Sequence, residues 1–266
     1  MNETITVDRG GLELLSEAQP LWEALYDRHL EYGAAGVATI EREESWPRRL
    51  AHYQRIFATH SHPIMFLARL DGEAIGYALG YEEEHLGEPA VVLETLSLLP
   101  VSRGHGLGIR LMRLLMEDAK GYGAARGIVD VVTGNAPAFG FYLNAGFTPH
   151  SETWMRSEQW DGSKNGLPAD IAERAKRLGF EFDAAPGPDD TWISSERMAH
   201  LNVTDTGGCE TPPDIAMLRA FFQVLEAAGL WSIQVTISTS PQSDPWRDAL
   251  TALRFKSALQ RLTRPI

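Results

Sequence analysis

The sequence predicts an α/β fold of the mixed α+β kind: a central mixed β-sheet flanked by helices, followed by a smaller partial domain. Three observations carry this. Asp71-Gly72 lies between two apolar runs and is the strongest hairpin signal in the chain. The stretch VVLETLSLLPVSRGHGLG, residues 91–108, passes from an apolar strand through a glycine loop into a helical pattern. The order helix, small-residue turn, strand, polar turn, helix, x-x-Phe of 112–147 then returns over 217–255.

Taken in order, residues 4–15 alternate around Ile5 and Val7 and read as an edge strand. Leu21, Trp22, Leu25, Tyr26 and His29 recur at three- and four-residue intervals, predicting an amphipathic helix from Glu17 to Tyr32. A second helix is expected over Trp46 to Thr59, with Trp46, Leu50, Tyr53 and Phe57 on one face and Pro47 in its first turn. The two hairpin strands are Ile64 to Arg69 and Glu73 to Tyr81. The run Glu82-Glu83-Glu84-His85 then reads either as a solvated strand end or as the source of a carboxylate facing a bound amine.

In the next strand, alternation puts Val92, Glu94, Leu96 and Leu98 on one face. A carboxylate among such neighbours is costly to bury without a partner or a task, which singles out Glu94. Gly104, Gly106 and Gly108 follow at a strand-to-helix turn. They let backbone approach a ligand, while the N–H groups of the helix's first turn point outward with partial positive charge. The stretch is an anion cradle. It is no Walker loop, because Gly-Lys-Ser/Thr is missing, and no dinucleotide fingerprint, because position 109 is Ile109.

Composition narrows the function classes. A formal net charge of −12 over 266 residues excludes the basic footprint of a nucleic-acid binder. A single cysteine, Cys209, excludes an internal disulfide and a cysteine-based zinc site, so no metal is expected. With neither a leader pattern nor a long apolar run, the chain is expected to be cytoplasmic and free of the membrane. Residues 1–160 carry 22 acidic against 13 basic side chains, which favours a cationic small molecule.

The spelling L-x-L-x-P-x-x-R-G-x-G-x-G (Leu96, Leu98, Pro100, Arg103, Gly104, Gly106, Gly108) resembles motif A of the GNAT N-acetyltransferase superfamily. Asn135, Ala138, Tyr142, Gly146 and Phe147 are similarly spaced to its motif B. The resemblance spans roughly residues 60–156 and implies the GNAT fold with acetyl-coenzyme A as co-substrate. It also implies that Arg103, Gly104, His105, Gly106, Leu107 and Gly108 hold the pyrophosphate, His105 only through its place in the loop. Leu96, Leu98 and Asn135 would meet the pantetheine arm, which inserts where two strands splay apart. The segment E-x-L-x-L-x-P resembles that of aminoglycoside-type acetyltransferases, implying Glu94 as general base; a structural carboxylate paired with arginine is the alternative. Tyr142 matches the tyrosine that protonates the departing thiolate, a phenol near pKa 10 against a thiol near 8.5. Its alternative is core packing beside Phe139, Phe141 and Phe147.

A strand around Thr153, Trp154 and Met155 is expected to close the sheet, and the polar, Gly-containing residues 157–168 to link two domains, 1–160 and 161–266. Aligning Val131 with Val235 makes the second domain a degenerate half of the same fold. Arg103 then falls on Gly207, Gly106 on Glu210, Gly108 on Pro212, and Tyr142 near Leu250. A carboxylate repels an anionic ligand and proline lacks an N–H, so this half is expected to bind no coenzyme A. Its open roles are packing, shaping the acceptor cleft, or homodimerisation. The expected activity is acetyl transfer to a primary amine of a small cationic molecule in a ternary complex, since no cysteine lies near the motifs. The alternative is a non-catalytic acyl-coenzyme A sensor on the same fold.

Overall fold

The computed structural model describes residues 5–32, 40–157, 167–183, 198–203, 214–230 and 232–266. They divide into two compact units. One contains 5–32, 41–148 and 262–266; the other contains Ile40 and the described residues of 149–261. The linker and the boundary expected near residue 160 fall within 158–166, outside the described residues.

In the first unit, β1 (Ile5–Gly10), β2 (Ile64–Leu70), β3 (Glu73–His85) and β4 (Glu88–Leu98) pair antiparallel in sequence, and β5 (Arg126–Val132) runs parallel to β4. The β2–β3 turn is the expected one, with φ of 50° at Asp71 and 92° at Gly72, the left-handed pair of a type I′ hairpin. Both faces of β2 are buried. Ile64, Phe66 and Ala68 pack into a core with Leu111, Met112 and Leu115 of α3 (Leu107–Lys120). Met65 and Leu67 point to the other face, covered by α1 (Gln19–Tyr32) and α2 (Arg42–Thr59). These two helices lock together and onto the sheet: Trp22 Nε1 donates to Ser45 Oγ at 2.7 Å, and Ser97 Oγ on β4 donates to the Leu21 carbonyl at 2.8 Å.

Three boundaries differ from expectation. β1 stops at Gly10, and a short 3-10 helix, Leu12–Glu17, precedes α1. α2 begins four residues earlier than Trp46, placing Pro47 inside it. Glu43 and Glu44 in its first turn suit the positive end of the helix, and Glu44 pairs with Arg48 at 2.7 Å, which favours the earlier start.

The largest correction concerns the closing strand. β6 (Thr148–Ser157) does not close the first sheet through Thr153, Trp154 and Met155; these residues pair with β9 (Ser232–Ser238) in the second unit. Beside β5 lie instead the last residues of β10 (Lys256–Pro265). Leu262 is fully buried in the first core, and Ile266 donates its N–H to the Ala125 carbonyl at 3.1 Å. Arg264 donates to the Ala145 carbonyl at 2.6 Å. A period-two pattern reports which face of a strand is buried, not which strand lies next to it.

The second unit contains α5 (Ile171–Arg177), β7 (Phe180–Asp183), β8 (Met198–Val203), α6 (Ile215–Ala227), β9, α7 (Asp244–Ala252) and most of β10. β8-α6-β9-α7 repeats the order β4-α3-β5 and then α4 (Ala136–Asn144), as the internal echo predicts. The helix ends agree in detail. Gly146 has φ 88° and Phe147 N–H returns to the Tyr142 carbonyl at 3.0 Å; Arg254 has φ 65° and Phe255 N–H returns to Leu250 at 2.9 Å. The degenerate glycine loop, Thr206 to Pro212 with Cys209, lies outside the described residues.

Replacing Leu262 by Ala should destabilise the first unit by about 2–5 kcal/mol, the usual cost of emptying a buried leucine site. Urea denaturation measures this. A loss below about 1 kcal/mol would show that the chain's last strand does not belong to that core.

Candidate active site

β4 and β5 pair over only three positions, Ala90↔Arg126, Val91↔Gly127 and Val92↔Ile128. Beyond Val92 they part. At the same place β4 carries a bulge: Leu79 faces Thr95 and Gly80 faces Leu93, so Glu94 is the extra residue. The bulge reverses the face of everything after it. The expected common face of Val92, Glu94, Leu96 and Leu98 is therefore not formed. Val92 packs with Ala90 and Ile128, whereas Leu96 and Leu98 join Val91 and Leu93 against the α3 core.

The parted strands open a cleft of about 380 Å³. Its apolar wall includes Leu25, Leu96, Leu98, Ile109, Pro137 and Phe141, and one end is formed by the glycine loop and the start of α3. Gly104 and Gly106 have φ of 81° and 74°, and a Cβ on either would meet nothing within 4 Å, so both border open space. Gly108 is needed for closeness instead: its Cβ would sit 3.3 Å from Leu98 and 3.4 Å from Phe141. No side chain caps α3, whose first accepting carbonyl, Gly106, takes the Arg110 N–H at 3.0 Å. The N–H groups of Leu107, Gly108 and Ile109 therefore have no acceptor within their helix.

The site residues expected from sequence are distributed as follows. Leu96, Leu98, Arg103, Gly104, Gly106, Leu107, Gly108, Asn135 and Tyr142 all line the cleft; His105 is exposed and does not. Arg103 donates through Nε and Nη2 to the Leu98 carbonyl at 3.2 and 2.8 Å, tying the loop to the end of β4. Burial and then the nearby Arg28 lower its pKa, although an arginine keeps its charge. Asn135 caps α4, its Oδ1 accepting from Ala138 N–H at 3.2 Å. Burial raises the pKa of the Tyr142 phenol well above its ordinary 10, so it holds its proton at neutral pH. Its ring packs edge-on against Phe141 and Phe147, and no hydrogen bond among the described residues engages its hydroxyl.

Glu94 is not in the cleft lining but beside it, turned toward α2. Its Oε1 accepts from Arg49 Nη2 at 2.7 Å and lies 3.0 Å from His52 Nε2. Arg49 also donates to Thr95 Oγ1 at 2.7 Å and lies over the rings of Trp22 and Tyr53, at 4.4 and 4.8 Å. Tyr53 OH is 2.7 Å from Thr95 Oγ1 and 2.8 Å from Tyr77 OH, completing a buried polar network. Sequence reasoning missed Arg49 and His52 because it set the α2 stripe one position off. The buried stripe is Trp46, Arg49, Tyr53 and Ile56, and a hydropathy pattern passes over its arginine. Arg28, another cleft-lining residue, was missed as a polar position on α1.

The acidic run at the end of β3 is structural at its first member. Glu82 accepts the backbone N–H groups of Ser61 and His62, the latter at 2.8 Å, and so holds the turn after α2.

The profile described as "Acetyltransferase (GNAT) family" matches residues 22–147. An L-methionine sulfoximine/L-methionine sulfone acetyltransferase of Pseudomonas aeruginosa is 30% identical over 118 residues, covering 43% of this chain and 68% of the relative. The chain belongs to the GNAT acetyltransferase family. It is accordingly an N-acetyltransferase with acetyl-coenzyme A as co-substrate. Two solved GNAT structures resemble it over both halves. The GCN5-related N-acetyltransferase from Sphaerobacter thermophilus, at 13% identity and TM-score 0.57, covers 98% of this chain and 95% of its own. The GCN5-related glucosamine N-acetyltransferase region of a fungal multi-domain GH3 β-N-acetylglucosaminidase, at 12% and 0.58, covers 99% of this chain and 38% of that one. At such identities the likeness establishes the GNAT fold alone. Among the described residues no helix is long and apolar enough to cross a membrane.

Burial pushes the Glu82 pKa up, but the backbone donors at Ser61 and His62 outweigh it, and the net shift is downward. A carboxylate with a depressed folded-state pKa stabilises the fold above its unfolded value and loses that contribution as pH falls through the folded one. Glu82→Gln should therefore lower the urea midpoint at pH 7 and lower it less as the pH falls toward 3. Equal losses at both pH values would show that the carboxylate charge is not what holds the turn.

Proposed function

We propose that the chain transfers an acetyl group from acetyl-coenzyme A to the primary amine of a small molecule by direct attack in a ternary complex. The observation that carries this reading is the convergence, in one cleft, of uncapped α3 amides, the parted β4 edge and the protonated Tyr142 hydroxyl.

The residues fit the co-substrate. The N–H groups of Leu107, Gly108 and Ile109 face the open space beside Gly104 and Gly106, where a pyrophosphate finds donors and the positive end of the helix. Arg28 and Arg103 add positive charge beside them. The apolar wall of Leu96, Leu98, Pro137 and Phe141 suits a pantetheine arm, and the unpaired edge of β4 offers it backbone partners. Asn135 keeps its Nδ2 donors for the same ligand. When bound, acetyl-coenzyme A supplies the acetyl group as a thioester. Tyr142, kept neutral by burial, holds a proton for the departing sulfur, and the Glu94 carboxylate network supplies the base.

The acceptor is proposed as a small amine on the strength of sequence charge and of the relative's substrates, L-methionine sulfoximine and sulfone. We assign no coenzyme A site to the second unit. β8 and β9 stay paired from Met198↔Ser232 to Asn202↔Thr236, so the parting that forms the cleft is not repeated.

Calorimetric titration should give one acetyl-coenzyme A per chain, abolished in Gly106→Glu. Tyr142→Phe should reduce kcat by about 100-fold or more with an unchanged melting temperature, because its hydroxyl makes no hydrogen bond among the described residues. L-Methionine sulfone and spermidine, assayed side by side, separate the two acceptor classes. Cofactor binding without turnover on any amine would favour the sensor reading, and two sites per chain would refute the assignment of the cleft to the first unit alone.

A further inference from the structure

α1 crosses the gap between the parted strands and is anchored on both sides of it. Ser97 Oγ, near the end of β4, donates to the Leu21 carbonyl; past the end of β5, a Cβ on Gly134 would sit 2.8 Å from the Tyr32 carbonyl. Leu21, Leu25, Arg28 and Tyr32 recur at helical spacing and form one stripe of α1, and the two residues between the anchors, Leu25 and Arg28, line the cleft. α3 packs on the opposite face of the sheet from α1, so Arg28 reaches the cleft from another element and another side than the glycine loop.

The Arg28 guanidinium is held by its own helix. Its Nη2 donates to Tyr32 Oη at 2.8 Å, and its central carbon lies 5.3 Å from the centre of the Tyr32 ring. The cleft lining contains one other cation, Arg103, and no carboxylate, in a chain where 36 acidic side chains outnumber 24 basic ones. Both arginines are half-buried, and neither forms an ion pair among the described residues. They lie within each other's field: after burial, Arg28 is the largest influence lowering the Arg103 pKa, with Tyr32 and Glu31 acting the other way. Like charges gathered without a counter-ion oppose each other, and an anion beside both relieves this.

We propose that Arg28 binds the pyrophosphate of acetyl-coenzyme A from α1, so that the co-substrate is gripped by a second element besides the start of α3, with Tyr32 as the positioning residue. This rests on the placing of the pyrophosphate at α3 given above. Position along β4 favours a phosphate over the acceptor. Arg103, the neighbour of Arg28, is tied to the Leu98 carbonyl, whereas Glu94 lies four residues back, about 13 Å at the rise of a strand. The donors agree as well. Arg103 spends Nε and Nη2 on that carbonyl, but Arg28 commits only Nη2 among the described residues, leaving Nε and Nη1 for phosphate oxygens.

Calorimetry on the full chain with coenzyme A and with dephospho-coenzyme A, which lacks the 3′-phosphate, tests this. Arg28→Gln should weaken both ligands by the same factor, at least about 10-fold, the size of one lost charge-assisted hydrogen bond. Arg28→Lys should lose less, because it keeps the charge without the fork. Tyr32→Phe keeps the ring and removes the hydroxyl; it should weaken both ligands by a smaller factor and add nothing in the Arg28→Gln background, which a merely structural tyrosine would not do. The melting temperature of unliganded Arg28→Gln should not fall, since one of two opposed cations is removed. The proposal is overturned if Arg28→Gln binds coenzyme A as tightly as wild type, or if its loss is confined to coenzyme A and absent with dephospho-coenzyme A, which would assign Arg28 to the 3′-phosphate. Equal losses from Tyr32→Phe with and without Arg28 would overturn the positioning role. Coenzyme A binding unharmed in Gly106→Glu would instead sink the placement at α3 on which the proposal rests.

Discussion

Everything proposed for this protein depends on β4 remaining a well-held strand after β5 has left it. A strand interior normally satisfies its N–H and C=O groups on both edges. β4 gives up one edge beyond Val92 and keeps its position by fastening the other. β3 pairs with it from Leu98 back to Glu88, Leu99 N–H reaches the Ile75 carbonyl at 2.9 Å, and Ser97 is tied to α1 through Leu21. Arg103 closes the far end on Leu98. The cleft is therefore built by packing on its far side.

The second unit is the internal control. It has the same parallel pair, the same crossover helix and the same helix ending in a left-handed residue before a phenylalanine. Its helix and strands bury an aromatic core in which Phe180, Phe222, Trp246 and Phe255 meet at centroid distances of 5.0 to 6.4 Å. What it lacks is the departure of one strand from the other: β8 and β9 keep a continuous register. The same supersecondary unit thus makes either a cleft or a plain sheet, and the choice lies in strand register, with the bulge at Glu94 marking the side where the cleft forms.

Sequence made legible the features governed by short-range chemistry. The Asp71-Gly72 turn, the glycine loop entering α3 and the paired endings at Phe147 and Phe255 each need particular residues within a few positions, and each was read in place. Features set by distant partners were not. The bulge at Glu94 follows from where β3 sits, and no residue near it advertises an extra position. β6 and β10 carry interchangeable strand patterns, so their partners are decided by tertiary packing. In α2 the buried stripe runs through Arg49, and a reading that equates burial with apolarity shifts it to Leu50 and Phe57.

Arg49 also explains why Glu94 resists a single label. A guanidinium stacked between Trp22 and Tyr53 and almost sealed from solvent needs a counter-charge, because an uncompensated buried cation is strongly destabilising. Glu94 supplies it. The pairing with Arg49 gives Glu94 the structural one of the two roles that sequence marks for it, and its part in the chemistry is the one proposed above. A neutral residue at 94 removes the counter-charge of a buried guanidinium and is expected to lower stability.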